Sequence, residues 1–188
     1  MTDYLEHNER IQHQIQQVIQ HAPGAFDRIL DIGCGPAEHA REFQKRFGSE
    51  LWLVEGHTAN NNSKNDTATK SKWRESADDF LYYHDLPTLR ARLDNLGTRN
   101  YHLIDCERTH EIPADVRFDL VCSWKSCGYH YPLNTYRALI ERHRHPGTRI
   151  VMDLRRGKGV TKIDPGWRVV HEIYSHKRKY VTAILEMV

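Results

Sequence analysis

A short run near the start of the chain has the residue types and spacing of a ligand-binding turn. An apolar strand pattern, Arg28–Ile32, leads into Gly33 and Gly35, which stand one residue apart. Two such glycines let the backbone turn tightly and approach a ligand closely. Pro36 fits the first turn of a helix, so we expect the turn to present free backbone N–H groups at a helix start. The pattern predicts a site for a nucleoside-bearing ligand.

Glu38 separates the two classes of cofactor that use such a turn. Dinucleotide folds place a third small residue there, which lets helix and strand pack closely while the helix start faces a pyrophosphate. A carboxylate in the first turn of the helix would repel that pyrophosphate, whereas a cofactor without phosphate loses nothing by it. The residues therefore favour a nucleoside without a phosphate group.

The turn resembles motif I of the class I S-adenosylmethionine-dependent methyltransferases. The resemblance rests on Asp31-x-Gly33-x-Gly35-x-Ala37, in which Ala37 stands where the family usually has a third glycine. It implies S-adenosylmethionine as the cofactor, bound at Asp31, Gly33, Cys34 and Gly35. It also implies a three-layer, Rossmann-like α/β fold with a mostly parallel seven-stranded sheet and a C-terminal antiparallel hairpin.

Two later strand patterns end in carboxylates, as the family requires. Leu51–Glu55 ends in Glu55, twenty residues after Gly35, the spacing at which a carboxylate can accept the ribose hydroxyls. Tyr101–Asp105 ends in Asp105, which in the family lies near the adenine. The resemblance thus adds Glu55 and Asp105, with the adjoining Gly56 and Cys106, to the cofactor site.

The remaining elements keep the same family order. Phe118–Ser123 resembles the fourth strand, whose end faces the transferred methyl, so Ser123 and Trp124 are also expected at the cofactor. A fifth strand is predicted over Thr148–Leu154, and Trp167–Tyr174 with Lys179–Met187 predicts the final hairpin. The link before Trp167 is short for a crossover helix, so the sixth strand could be antiparallel or displaced.

Helical patterns precede and interrupt this core. Apolar residues recur at helical spacing before the first strand, which predicts an amphipathic helix, either a cover for the cleft or one more packed helix. Residues 58–72 are rich in polar residues, which predicts a loop, and a lid over the cleft is one role open to it. Leu86–Leu96 predicts a helix capped by Asp85. We expect one domain, with residues 1–24 as the N-terminal helix and 25–188 as the Rossmann-like core.

The loop after the fourth strand carries the candidates for acceptor chemistry. In an open parallel sheet ligands bind beyond the carboxyl ends of the strands, so this loop should border the methyl group. His130 can accept a proton near neutral pH, although a backbone hydrogen bond explains it equally well. Lys125 and Tyr129 are the other two catalytic candidates. For Tyr129, a place in the wall of the substrate cleft is favoured over a role in the chemistry. Arg155 is suited to bind an acidic group on the substrate or to form a structural ion pair, and the ion pair is slightly favoured.

Other chemistries lack their signatures here. The run Ser123-Trp124-Lys125-Ser126 is unlike the motif of base-amino methylation, and Cys122 and Cys127 lack the proline of cytosine C5 methylation. Asp153 is the one carboxylate offered near the fourth and fifth strands, so no metal site is expected. The His143-x-His145 pair is expected at a helix C-terminus.

Composition restricts the size of the core, the kinds of partner and the cellular compartment expected for the protein. The 188 residues suffice for one core, a net charge of +2 does not argue for nucleic acid, and mean hydropathy of −0.72 indicates a polar surface. The four cysteines have no zinc-like spacing and are expected to be reduced. No apolar run reaches membrane-spanning length and no signal peptide pattern opens the sequence, which predicts a cytoplasmic protein.

These observations predict in-line methyl transfer to an oxygen or nitrogen nucleophile on a small molecule or glycan. Two alternatives stay open: a domain that binds S-adenosylmethionine without transfer, and a methyltransferase acting on RNA or protein. The sequence does not indicate an oligomeric state.

Overall fold

The computed structural model describes residues 2–56, 85–157, 160–161, 163–176 and 180–188. The predicted lid over residues 58–72 lies outside this part of the chain.

One twisted sheet organises the described residues. Seven strands lie side by side in the order β3-β2-β1-β4-β5-β8-β7, and a short β6 pairs with the end of β5. The first five are mutually parallel, while β8 runs antiparallel to both of its neighbours. Their bounds are β1 Arg28–Ile32, β2 Glu50–Glu55, β3 Tyr101–Asp105, β4 Leu120–Ser123, β5 Arg149–Gly157, β6 Val160–Thr161, β7 Trp167–His176 and β8 Tyr180–Met187. The predicted seven-stranded, mostly parallel sheet with a final hairpin is confirmed.

Helices cover both faces of this sheet. The structure describes α1 Thr2–His21, α2 Glu38–Phe47, α3 Leu86–Asn95 and α4 Arg137–His143, with 3-10 turns at Cys106–Glu111 and Leu133–Tyr136. The first three helices pack on one face, and α4 and both turns pack on the other. The result is the predicted three-layer arrangement.

The central strands are buried on both faces, which explains why they read as continuous apolar runs. In β1, Leu30 and Ile32 face the α4 side, whereas Ile29 faces the helices of the other layer. In α1 the apolar stripe of Ile11 and Ile15 packs toward the sheet, and each such buried side chain contributes about 1.5–3 kcal/mol. Both layers thus hold the carboxyl ends of the parallel strands in a fixed arrangement.

Several predicted boundaries are wrong by a few residues. Helix α2 begins at Glu38 rather than Pro36, because Ala37 takes a left-handed conformation with φ of 55°. Strand β4 begins at Leu120, two residues late, and β5 extends three residues past Leu154 to Gly157. The hairpin places β7 outside β8 at the sheet edge, so β7 is displaced from β5 but runs in the same direction.

Of the helices in the described ranges, none combines the length and apolar character that crossing a bilayer would need.

Candidate cofactor site

The glycine turn follows β1 and is tied to the neighbouring strand. Gly33 and Gly35 have φ of 64° and 54°, the left-handed region that favours glycine. The N–H groups of Gly33 and Cys34 both donate to the Val54 carbonyl, at 2.9 and 3.1 Å. The expectation of free N–H groups is therefore wrong for these two residues, because β2 already accepts their hydrogen bonds.

Glu55 reaches back from the end of β2 to the same turn. Its carboxylate accepts the Gly35 N–H at 2.8 Å and the Gly56 N–H at 3.1 Å. Burial raises the pKa of Glu55, and the two N–H groups partly offset that rise. Glu55 is thus held at the tip of β2, next to the turn.

Asp105 and Cys106 lie on the next strand. Asp105 pairs in register with Glu55, and its carboxylate accepts the Glu107 N–H at 3.0 Å. Cys106 begins the 3-10 turn that follows. The two strand-end acids that the sequence assigned to one ligand therefore do lie side by side.

Asp31 is a buried carboxylate beneath the turn. It is fully inaccessible, and within the described ranges neither of its oxygens accepts a hydrogen bond from nitrogen or oxygen. Burial and, to a smaller extent, the negative charge of Glu55 raise its pKa to about 8, although the Cys122 thiol partly offsets the rise. Such a group is costly without a cationic partner.

A cavity of about 180 Å³ opens above the turn. Its floor includes Gly33, Cys34 and Gly35, and its rim side chains come from α1, the start of α2, the loop after β4 and strand β5: His7, Arg10, Gln14, Glu38, His39, Trp124, Lys125 and Asp153. This volume is below the roughly 300–1,000 Å³ of typical ligand pockets. The chain that continues from Gly56 lies outside the described residues.

Helix α1 forms one side of this cavity through His7, Arg10 and Gln14, and the sequence analysis missed Arg10 and Gln14. Arg10 donates to His7 Nδ1 at 2.7 Å, and His7 Nε2 lies 2.6 Å from Glu38 Oε2. Arg10 Nε is buried and has no hydrogen-bond partner among the described residues. The signal was present, because His7, Arg10 and Gln14 recur at helical spacing beside the apolar stripe.

The start of the loop after β4 is fixed by its polar and aromatic side chains. The Ser123 hydroxyl donates to the Ile32 carbonyl at 2.7 Å and accepts the Cys127 N–H at 2.8 Å, so it ties β4 to β1. Trp124 stacks on His39 with ring centroids 4.1 Å apart. Burial, with the nearby cations, lowers the pKa of His39 to about 3, so this imidazole is neutral at physiological pH.

Two of the three predicted catalytic residues, Lys125 and Tyr129, lie against the Tyr180 ring, and the third, His130, lies against Tyr129. Lys125 Nζ lies 5.3 Å from the Tyr180 ring centroid, and Tyr129 packs edge-on against the same ring at 5.9 Å. His130 lies against Tyr129, with centroids 4.8 Å apart. Of the three, Lys125 lines the cavity; Tyr129 and His130 do not.

Within the described ranges, no group of three or more His, Cys, Asp or Glu side chains is placed to hold a metal ion. The four cysteines are free thiols, and burial raises the pKa of Cys122 well above its ordinary value.

Comparison with solved structures identifies the fold. The chain is similar to a variant of MtNAS in complex with S-adenosylmethionine, with a TM-score of 0.62, 15% identity, and coverage of 95% of this chain and 62% of that one. It is also similar to the glycopeptide N-methyltransferase MtfA, with a TM-score of 0.57, 11% identity, and coverage of 95% and 90%. This chain has the fold of the class I S-adenosylmethionine-dependent methyltransferases. The resemblance inferred from the class I motif is thereby confirmed for the fold.

Sequence comparison adds one curated relative to this methyltransferase fold. The chain is 31% identical over 106 residues to ribosomal RNA small subunit methyltransferase H of Bacteroides thetaiotaomicron. The aligned region covers 53% of this chain and 34% of that protein. The chain therefore spans about a third of that relative's length. No family model matches the sequence.

Proposed function

We propose that this protein binds S-adenosylmethionine and transfers its methyl group. The observation that carries the proposal is the pair of buried acids, Asp31 and Glu55, beneath and beside the glycine turn. Within the described residues neither acid forms an ion pair with a cationic side chain. A ligand that brings positive charge to this turn relieves the electrostatic cost of both.

S-adenosylmethionine has the groups that this site lacks. Its sulfonium and ammonium supply the positive charge that Asp31 needs, and its ribose hydroxyls suit Glu55. Arg10, whose Nε has no partner, suits the carboxylate at the methionine end. Asp105 beside Glu55 suits the exocyclic amine of adenine. A dinucleotide would instead bring a pyrophosphate toward Glu38 and the two buried acids.

The remaining cofactor candidates fit around the same ligand. Cys34 lies in the cavity floor, and Gly56 and Cys106 directly follow the two strand-end acids. The Ser123 hydroxyl is committed to backbone partners, so we assign it the role of holding the loop whose next residue, Trp124, walls the cavity.

The transfer itself is an in-line displacement. A lone pair of the acceptor attacks the methyl carbon, the carbon–sulfur bond breaks, and its electrons stay on sulfur to give S-adenosylhomocysteine. Because the thioether is already a good leaving group, the protein contributes mainly alignment and removal of a proton. Lys125 at the rim, with Tyr129 and His130 behind it, forms the wall on the acceptor side.

We further propose that the acceptor is a small molecule or glycan with an oxygen or nitrogen nucleophile. The modest net charge of +2 favours it over a nucleic acid. RNA is a second candidate, favoured by the similarity to a ribosomal RNA methyltransferase. The setting we propose is the cytoplasm.

Methyl transfer is tested with cofactor that carries a labelled methyl group. The protein is incubated separately with small-molecule, glycan and RNA fractions, and label in each fraction is counted. Incorporation into the small-molecule or glycan fraction supports the proposal, and incorporation into RNA alone favours the second candidate. Cofactor binding without incorporation into any fraction would identify a binding domain that lacks transfer.

A further inference from the structure

Asp153 is a buried carboxylate that the cofactor proposal leaves without a role. It lies on β5 at 1% exposure and lines the same cavity as the glycine turn. Asp153 Oδ1 accepts the Thr182 hydroxyl at 2.5 Å, and Oδ2 accepts the Lys125 N–H at 3.2 Å. Two neutral donors therefore fix its orientation, and no cationic side chain in the described ranges lies within ion-pair distance.

A chain of side-chain hydrogen bonds holds this carboxylate from behind. Thr182 also accepts from Gln14 Nε2 at 3.2 Å, and Gln14 Oε1 lies 3.2 Å from His39 Nε2. The amide of Gln14 does not pass protons along such a chain, because its nitrogen and oxygen keep fixed donor and acceptor roles. The chain therefore positions Asp153, and a proton on Asp153 leaves through the cavity.

We propose that Asp153 is the proton acceptor of the methyl-transfer site and lies opposite the methyl group. This inference rests on the proposed function. When an N–H or O–H nucleophile attacks the methyl carbon, its proton moves to the Asp153 carboxylate while the carbon–sulfur electron pair stays on sulfur. Release of that proton to solvent through the cavity restores the carboxylate.

The surroundings of Asp153 suit that role. Burial raises its pKa to about 6, and the rise is limited by the Thr182 hydroxyl, by Lys125 from the β4 loop and by Arg10 from α1. The other titratable groups facing it are Tyr180 of β8 and Cys122 of β4, and burial raises the pKa of both well above their ordinary values. A base with a pKa near the working pH is the most effective one.

Sinefungin provides a test that needs no knowledge of the acceptor. This cofactor analogue carries an amine where the sulfonium carries its methyl, whereas S-adenosylhomocysteine has neither group. If Asp153 faces the methyl position, the wild-type protein binds sinefungin about tenfold more tightly than S-adenosylhomocysteine at pH 7.5. That preference declines as the pH falls through about 6, because Asp153 becomes protonated.

Substitutions separate this role from a structural one. Asp153→Asn abolishes the preference and leaves the affinity for S-adenosylhomocysteine unchanged, which also reports that the variant is folded. Thr182→Val removes the hydroxyl that lowers the Asp153 pKa, so it moves the midpoint of the preference to higher pH. Thr182→Ser, which keeps the hydroxyl, retains the wild-type midpoint.

The other possible results of these binding experiments also decide whether Asp153 has this role. A wild-type preference that is absent, or independent of pH, overturns the role of Asp153, and so does a preference that survives in Asp153→Asn. If Asp153→Asn does not fold, the midpoints of the two Thr182 variants decide, and equal midpoints overturn the proposal. Failure to bind either ligand contradicts cofactor binding itself, which is a different result.

Discussion

Glu55 and Gly35 stand twenty residues apart in the sequence and are joined by a hydrogen bond of 2.8 Å from the Gly35 N–H to the Glu55 carboxylate. This contact fixes the acid at the end of β2 against the turn that follows β1. A carboxylate held in this way still has lone pairs that can accept hydrogen bonds from ribose hydroxyls. It is already in position before the ligand binds, so binding costs less ordering of the side chain.

Glu55→Gln should weaken S-adenosylmethionine and methylthioadenosine to a similar extent, about 10-fold to 100-fold. Both ligands carry the ribose, and the substitution replaces a charged acceptor with a neutral amide. Isothermal titration calorimetry with each ligand provides the measurement. Loss of affinity for only one of the two would contradict the ribose assignment.

Asp31→Asn should weaken S-adenosylmethionine about 10-fold to 100-fold while leaving methylthioadenosine nearly unaffected. The substitution removes the negative charge beneath the turn, and methylthioadenosine has neither the ammonium nor the sulfonium to exploit it. The same titrations, set beside those of Glu55→Gln, separate the two ends of the cofactor. Equal losses for both ligands would rule out this division of roles.

The ligand-free protein should also become more stable in Asp31→Asn, increasingly so as the pH rises. The folded pKa of Asp31 is about 8, against about 3.8 for an ordinary aspartate, so the folded state holds the proton more tightly. Its contribution to stability is therefore greatest below about pH 4, declines between about 4 and 8, and stays at its minimum above 8. Thermal melting of both proteins at pH 5.5 and 8 measures the difference, and an equal Tm gap at the two pH values would contradict it.

Binding of S-adenosylmethionine at pH 6.5 should release close to one proton. Asp31 is protonated in the free protein at this pH, because its pKa is about 8, and the cations of the ligand favour its ionised form. Calorimetry in buffers of different ionisation enthalpy gives the proton count. We expect Asp31→Asn to release far less than one proton, and wild-type protein that releases none would refute the linkage.

Gly33→Ala should destabilise the protein by about 2–4 kcal/mol, since a Cβ at φ of 64° would lie 1.9 Å from Ser126 Oγ. Gly48→Ala is the matched control. Gly48 has φ of 72° with open space around the added Cβ, so only about 1 kcal/mol is expected. Denaturant unfolding compares them, and equal losses would show that the contact with Ser126 is not limiting.

The elements that the sequence predicted well are those whose structure depends on interactions within a short stretch of chain. Strand β1 is buried on both faces, so its residues form an apolar run that needs no tertiary information. The cap of α3 was equally readable, because Asp85 accepts the Thr88 N–H at 2.8 Å within its own turn. The start of α2 was misplaced because Ala37 takes a conformation usually left to glycine.

What the sequence analysis missed depends on packing between distant segments. Arg10 and Gln14 reach the cavity because α1 packs alongside α2, as the contacts from His7–Glu38 to Gln16–Arg46 show. Helical spacing places these side chains on one face of α1 but does not specify what that face packs against. Asp153 was considered as a possible metal ligand, but its partner Thr182 comes from β8, 29 residues later. Ser123 was predicted from its place at the end of β4, and the structure adds that its hydroxyl donates a hydrogen bond to the Ile32 carbonyl.

The central claim is that this fold binds S-adenosylmethionine, and direct calorimetric titration of the full chain with that ligand tests it most directly. The structure predicts saturable binding at one site, clearly tighter than that of NAD, which would bring a pyrophosphate toward Glu38. No measurable binding of S-adenosylmethionine, or tighter binding of NAD, would contradict it.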